Sequence, residues 1–163
     1  MGRLASQRRP TAQTLCANMI PIPTEDDWEN YQDDLDAKYA HKIFFGKTNN
    51  EVQEDFKRSV IERASELSFM PIKPFQYYVL GFKQFIEIRD FNQFDDADAA
   101  SCFIRLVESM LTKKRNFIKP VLNELMPTVR HIAENQSAYD ADEQIYGSFK
   151  EIYQNIQKLA KSA

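Results

Sequence analysis

The stretch Phe44-Phe45-Gly46-Lys47-Thr48-Asn49-Asn50-Glu51-Val52 decides the fold. Gly46 can take the left-handed backbone that a side chain disfavours, so it reads as the stop of a helix arriving from the N-terminal side. Two residues later, Thr48 and Glu51 stand at the spacing in which a hydroxyl caps a helix start while a carboxylate reaches back to the capping residue's amide. A stop followed at once by a start predicts two neighbouring helices joined as a hairpin.

Upstream of this stretch, Trp28, Tyr31, Leu35, Tyr39 and Ile43 recur at spacings of three and four. They predict one helix running from an N-cap at Thr24 to the Gly46 stop, with Glu25, Asp26 and Asp27 in its first turn, where the helix dipole favours anions. Downstream, Val52, Phe56, Val60 and Leu67 form the stripe of a second helix. After the stiff connector Met70-Pro71-Ile72-Lys73-Pro74, a third helix carries Phe75, Tyr78, Phe82, Phe85 and Ile86. It is apolar nearly all round and is therefore expected at the centre of the bundle. Gly81 inside it costs roughly 1 kcal/mol relative to alanine, which predicts a close approach by a neighbouring element. Residues 90–94 read as a loop. Asp95 or Asp96 then caps a fourth helix with Phe103, Leu106, Val107, Met110 and Leu111 inward and Lys113, Lys114 and Arg115 in its last turn. Residues 116–135 contain Pro120 and Pro127, and Pro127 predicts a kink or a break into two short helices. A last helix is expected from about Asp140, with Ile145, Phe149, Ile152, Ile156 and Leu159 on one face.

Composition agrees with this pattern. Four glycines in 163 residues leave the chain little with which to close β-hairpins, and no glycine-rich loop to cradle a phosphate. The expectation is an all-α, single-domain bundle of about six antiparallel-neighbour helices. It occupies residues 25–163, after a flexible basic arm at 1–24 that bears Arg3, Arg8 and Arg9 and ends at Pro21 and Pro23. No run of 18 apolar residues is present, so no membrane span is expected. Cys16 and Cys102 are far apart and lack metal-type spacing, which fits reduced thiols in a cytoplasmic protein.

Seven acids and no base lie between Glu25 and Asp36. On a helical wheel centred on Trp28, the acids from Asp26 to Asp36 fall outside the apolar arc. Glu29, Asp33, Asp34 and Asp36 are therefore the candidate residues for docking a basic protein partner, against the plainer reading of a solvated helix face. His41 falls on the polar side near Asp34. With Tyr77 and Tyr78 of the aromatic third helix, it is the candidate lining of a pocket.

Other chemistries find no constellation. No EF-hand loop and no Glu-x-x-His pair occurs, so no metal or other cofactor is implied. Ser101-Cys102 lacks a nucleophile elbow, and no catalytic residue stands out. The basic cluster Lys113, Lys114, Arg115 and Lys119 has only Phe117 for base stacking, in a chain of net charge −3, so nucleic acid is a poor fit.

Three segments resemble a bacterial domain family of unknown function: Tyr39-Ala40-His41-Lys42-Ile43-Phe44-Phe45-Gly46-Lys47-Thr48, Met70-Pro71-Ile72-Lys73-Pro74-Phe75-Gln76-Tyr77-Tyr78 and Asp98-Ala99-Ala100-Ser101-Cys102-Phe103. The resemblance spans about residues 35–110 and implies a bacterial cytoplasmic setting without implying an activity. The functional expectation is a non-catalytic interaction domain, an adaptor or a toxin-neutralising immunity protein, presenting the acidic face of its first helix. The competing expectation is an enzyme or small-ligand-binding protein with an aromatic-lined pocket. Oligomeric state is left open by the sequence.

Overall fold

Around Gly46 the local signals become specific bonds. The computed structural model describes residues 20–162. Helix α1 (Leu35–Phe44) ends in a turn in which Lys47 N–H donates to the Phe44 carbonyl at 3.1 Å. Phe45 (φ −52°, ψ 132°) and Gly46 (φ 78°) have type II turn geometry, which needs positive φ at its third residue. Thr48 Oγ1 then accepts from Glu51 N–H at 3.2 Å, and Glu51 Oε2 accepts from Thr48 N–H at 2.7 Å. This reciprocal box starts the turn that leads into α2 (Gln53–Arg58). Those same bonds hold the Glu51 carboxyl below the usual carboxylate range, the backbone bond from Thr48 being the largest cause.

The architecture is all-α, with no strand among the described residues. A single residue, Ser59, separates α2 from α3 (Val60–Phe69). Helix α4 (Ile72–Ile88) begins at the connector itself, with Pro71 at its N-cap and Pro74 in its first turn, where a proline lacks no helical bond. Next come α5 (Asp96–Lys113), the single turn α6 (Arg115–Ile118), a 3-10 turn at Lys119–Val121 and α7 (Leu122–Glu134). The chain closes with a 3-10 turn at Gln136–Tyr139, the short α8 (Glu143–Tyr146) and α9 (Phe149–Lys161).

Helix α4 is central: it packs against α2, α3, α5, α6 and α7. Its Phe82 stacks on Phe56 (4.9 Å between centroids) and meets Phe103 of α5 edge-on at 5.2 Å. Helix α5 in turn carries α3 on one side and α9 on another. The stripes Val52, Phe56, Val60, Leu67 and Phe103, Leu106, Val107, Met110, Leu111 are buried as the spacing predicts.

Several boundaries differ from the sequence expectation. Residues 1–19 of the expected arm lie outside the described residues. Ile20 already packs against the core and Pro23 is buried, so packing extends upstream of Thr24. The break expected at Pro127 falls at the Pro120 turn instead, after an earlier one at Lys114, and α7 runs through Pro127. Pro127 and Asn123, four residues earlier, are both exposed, so a carbonyl lacking its helical donor costs little there. The last helix starts at Phe149 because Gly147 takes φ 75° and Ser148 caps it, accepting from Glu151 N–H at 3.3 Å. Ile145, expected inward, is exposed on α8.

The close approach at Gly81 comes from the α1–α2 loop. A Cβ there would stand 2.3 Å from Asn49 Oδ1 and 2.8 Å from its Cγ. Asn49 Nδ2 donates to the Tyr77 carbonyl at 2.9 Å, and Gln53 Nε2 donates to the Gly81 carbonyl at 3.0 Å, so the loop is stitched onto α4. Asn49 cannot yield without breaking its bond. Gly81→Ala is therefore expected to lower stability by about 1–2 kcal/mol, overpacking outweighing the gain in helix propensity. Urea denaturation of G81A, N49A and the double variant checks this. Strong coupling between the two substitutions is expected, and additive losses would count against the contact.

Candidate functional site

The acidic segment is not one helix. Asp27 Oδ2 turns back to accept from Thr24 N–H (2.9 Å) and Thr24 Oγ1 (3.1 Å), closing a 3-10 turn at Asp26–Trp28. Glu29 follows at φ 49°, and a second 3-10 turn covers Tyr31–Asp33. Asp34 is extended (φ −129°, ψ 126°), and its Oδ1 accepts from Asp36 N–H at 2.8 Å and Ala37 N–H at 3.0 Å. It is the N-cap of α1, the place expected of Thr24. Short acidic side chains bonding to nearby backbone compete with helix, and here they win.

The wheel therefore fails. Ala37, Ala40 and Phe44 face the core, while Leu35 is 85% and Tyr39 49% exposed. Glu29, Asp33, Asp34 and Asp36 are all exposed, but they stand on successive turns and not on one helical face. Asp34 is occupied as a cap. Glu25 and Asp27 have internal partners as well, Asp27 pairing with Lys73 at 2.9 Å. Asp26, Glu29, Asp33 and Asp36 form no ion pair among the described residues.

His41 is not a bare surface residue near Asp34. Its side chain is 16% exposed and its Nε2 lies 2.7 Å from Glu25 Oε2. The ring stacks on Tyr31 (3.8 Å, 6°) on one side and Phe45 (4.5 Å, 14°) on the other, with Trp28 edge-on at 5.1 Å. Tyr31 Oη donates to Glu25 Oε1 at 2.9 Å, completing a ring of contacts that holds the N-terminal turns on α1. The hydrogen bond from His41, then that from Tyr31, holds the Glu25 carboxyl below its ordinary range.

Tyr78 is fully buried, its Oη 2.6 Å from the Phe44 carbonyl and 2.9 Å from that of Lys47. Burial pushes its phenol well above the ordinary range, and neighbouring Tyr77 adds to the effect. Tyr77 instead lines a cavity of about 400 Å³ beside Asn49, Lys83 and Glu124. His41, Tyr77 and Tyr78 thus do not share one pocket. The rings of Trp28 and Tyr78 stand between His41 and Tyr77.

Sequence reasoning missed a groove between α1 and α3. It holds about 480 Å³ and is lined by Asp36, Tyr39, Ile61, Glu62, Glu66 and Phe69. Ile61 and Phe69 are exposed like Tyr39. At its edge Arg63 is buried against Glu66, with Nη2 donating to Oε1 at 2.8 Å, and burial still raises the Glu66 carboxyl despite that partner. Ile61 and Phe69, apolar residues outside the stripe of Val52, Phe56, Val60 and Leu67, were the available signal. Elsewhere, burial pushes the Cys102 thiol up to about 11, Asp98 adding and Arg105 opposing, so it is a poor nucleophile. Among the described residues no three His, Cys, Asp or Glu side chains converge to hold a metal ion, and no helix is long and apolar enough to cross a membrane.

No family model, curated protein or solved structure matches the chain.

The Glu25 contacts set an acid response. A carboxyl held low in the folded state contributes stability above its unfolded value and loses it as pH falls through the folded value. Wild type is therefore expected to exceed Glu25→Gln in melting temperature at pH 6 and to converge with it at pH values well below the ordinary glutamate value of about 4.3. Thermal melts across pH 2.5–7 (a range of about five units) check this; a gap that persists undiminished at the acid end would exclude the linkage.

Proposed function

We propose that this chain is a non-catalytic protein-interaction domain, adaptor-like or immunity-like, that binds a basic partner in the cytoplasm. The observation that carries the reading is the juxtaposition of acids lacking ion partners with uncovered apolar side chains. Asp36 lies beside Tyr39 in the α1–α3 groove, which continues over Ile61 and Phe69 with Glu62 and Glu66, while Leu35 and Tyr39 also border Lys38 and Lys42; Glu29 and Asp33 are exposed in the turns that precede α1. Aromatic anchors ringed by polar residues are how binding energy concentrates at protein interfaces. The acids add long-range attraction for a cationic partner. The titratable groups that a catalytic reading would use support the same view: His41 is stacked between two rings, and the Cys102 thiol is protonated. The competing ligand-binding reading has support in the Tyr77 cavity, whose amide-rich lining suits a small polar molecule.

The experiment is capture of partners on the purified protein from the native organism, followed by association kinetics at two salt concentrations. The triple variant Glu29→Gln, Asp33→Asn, Asp36→Asn is expected to fold within about 0.5 kcal/mol of wild type, because these side chains are exposed. Its association rate should fall several-fold and lose most of its salt dependence. Tyr39→Ala should instead act on dissociation. Equal association rates for wild type and the triple variant would refute the acidic surface as the docking face. By contrast Asp34→Ala, which removes the α1 cap, is expected to cost about 1 kcal/mol of stability in urea denaturation.

A further inference from the structure

At the C-terminal end of α4, away from the Lys73 that pairs with Asp27 in its first turn, a further cleft lies between α4 and α7. It encloses about 240 Å³, smaller than the roughly 300–1,000 Å³ of sites for drug-sized ligands, so any occupant is small. Its base is apolar. Ile86 and Tyr139 are almost fully buried there, and Pro127 supplies a carbon wall with no amide donor.

Its cation is held in place. Arg89 ends α4 in the left-handed region (φ 60°, ψ 27°), a conformation a long side chain rarely takes. Its guanidinium carbon sits 4.3 Å from the Tyr139 ring centroid, and Nη2 donates to the Ala138 carbonyl at 3.1 Å. That single bond leaves most of the five guanidinium donors unused. His131 faces the same ring edge-on at 6.2 Å, with Nδ1 3.4 Å from Asn135 Nδ2 and Nε2 left over. The acid in the cleft is already compensated: Glu87 Oε1 receives Lys83 Nζ at 2.8 Å and the buried Thr128 hydroxyl at 2.8 Å. Arg89 is thus the cation of the cleft, with His131 beside it and the carboxylates of Glu87 and, across Tyr139, Asp96 as the acids that face it. A pinned arginine with spare donors over an apolar floor is built to take a planar carboxylate attached to a carbon body.

We infer that this cleft binds a small organic monocarboxylate, its carboxylate on Arg89 and His131 and its apolar body against Ile86, Pro127 and Tyr139. The site shares no residue with the acidic surface, so this inference stands or falls independently of the interaction reading.

The test uses the full chain and benzoate as the probe, with benzyl alcohol and inorganic phosphate as comparisons, followed by calorimetry and amide chemical shifts. Benzoate is expected to bind, with shifts concentrated at Ile86, Arg89, Thr128, His131 and Tyr139. Benzyl alcohol, which has the body without the charge, and phosphate, which has charge without the body, should each bind at least about tenfold more weakly. Arg89→Asn keeps a residue that tolerates the left-handed conformation and should weaken benzoate by about tenfold or more. His131→Gln, an exposed change, should weaken it severalfold. A melting curve for each variant verifies that the fold persists. Failure of benzoate to bind wild type, equal binding of benzyl alcohol or phosphate, or unchanged affinity in a folded Arg89→Asn protein would each overturn the inference.

Discussion

The buried hydroxyl of Tyr78 is the contact on which the N-terminal half of the molecule depends. It reaches the carbonyls of Phe44 and Lys47, the two ends of the turn that closes α1, and so fixes that turn to the central helix. A buried hydroxyl without an acceptor is costly, so the turn and α4 cannot separate cheaply. Around this point the aromatic rings form a continuous path. Trp28, Tyr78, Phe44, Phe56, Phe82 and Phe103 meet in succession, from the N-terminal turns through α1, α2 and α4 to α5. Asn49 and Gln53 reinforce the same junction from the other side of the loop, against the one position of α4 that has no side chain.

That anchoring explains why the acidic segment is not helical. With Trp28 drawn fully into the core and His41 edge-on to it, residues 24–33 are held against the last turn of α1 by Glu25 and Tyr31. Glu25 and Asp27 are held by His41 and by Lys73, both distant in sequence, and Asp34 turns the chain into the helix. Three acids of the cluster thus stabilise the segment's path. The others face solvent beside apolar side chains that a straight helix would have buried. The candidate interaction surface is a consequence of this detour.

Helix α4 also organises the molecule at its C-terminal end. The residue that caps its end, Arg89, is left-handed and lies over Tyr139, which leaves a cation at the mouth of an apolar cleft. The acidic surface and the cationic cleft stand on different elements. The central helix supplies part of the framework for each, through Lys73 at one end and Ile86 at the other.

What the sequence alone determined is what short-range bonds decide. The Gly46 turn, the Thr48–Glu51 box, the helical class, the buried stripes of α2 to α5 and the crowded Gly81 were all legible, because each depends on residues a few positions apart or on simple periodicity. The phase of α1 was not. Leu35 and Tyr39 have the right spacing for a core stripe, but which face turns inward depends on where the helix begins, and Asp34 decides that together with the long-range pairs of Glu25 and Asp27. The pocket residues show the same limit. Tyr77 and Tyr78 are adjacent in sequence, yet one lines a cavity and the other is a buried donor, since neighbours on a helix point in directions about 100° apart. Only the tertiary structure could place His41 on Glu25, Arg89 on Tyr139 and Ile61 beside Tyr39. Those contacts join elements whose relative placement is set by packing of the whole core, and no local pattern encodes it.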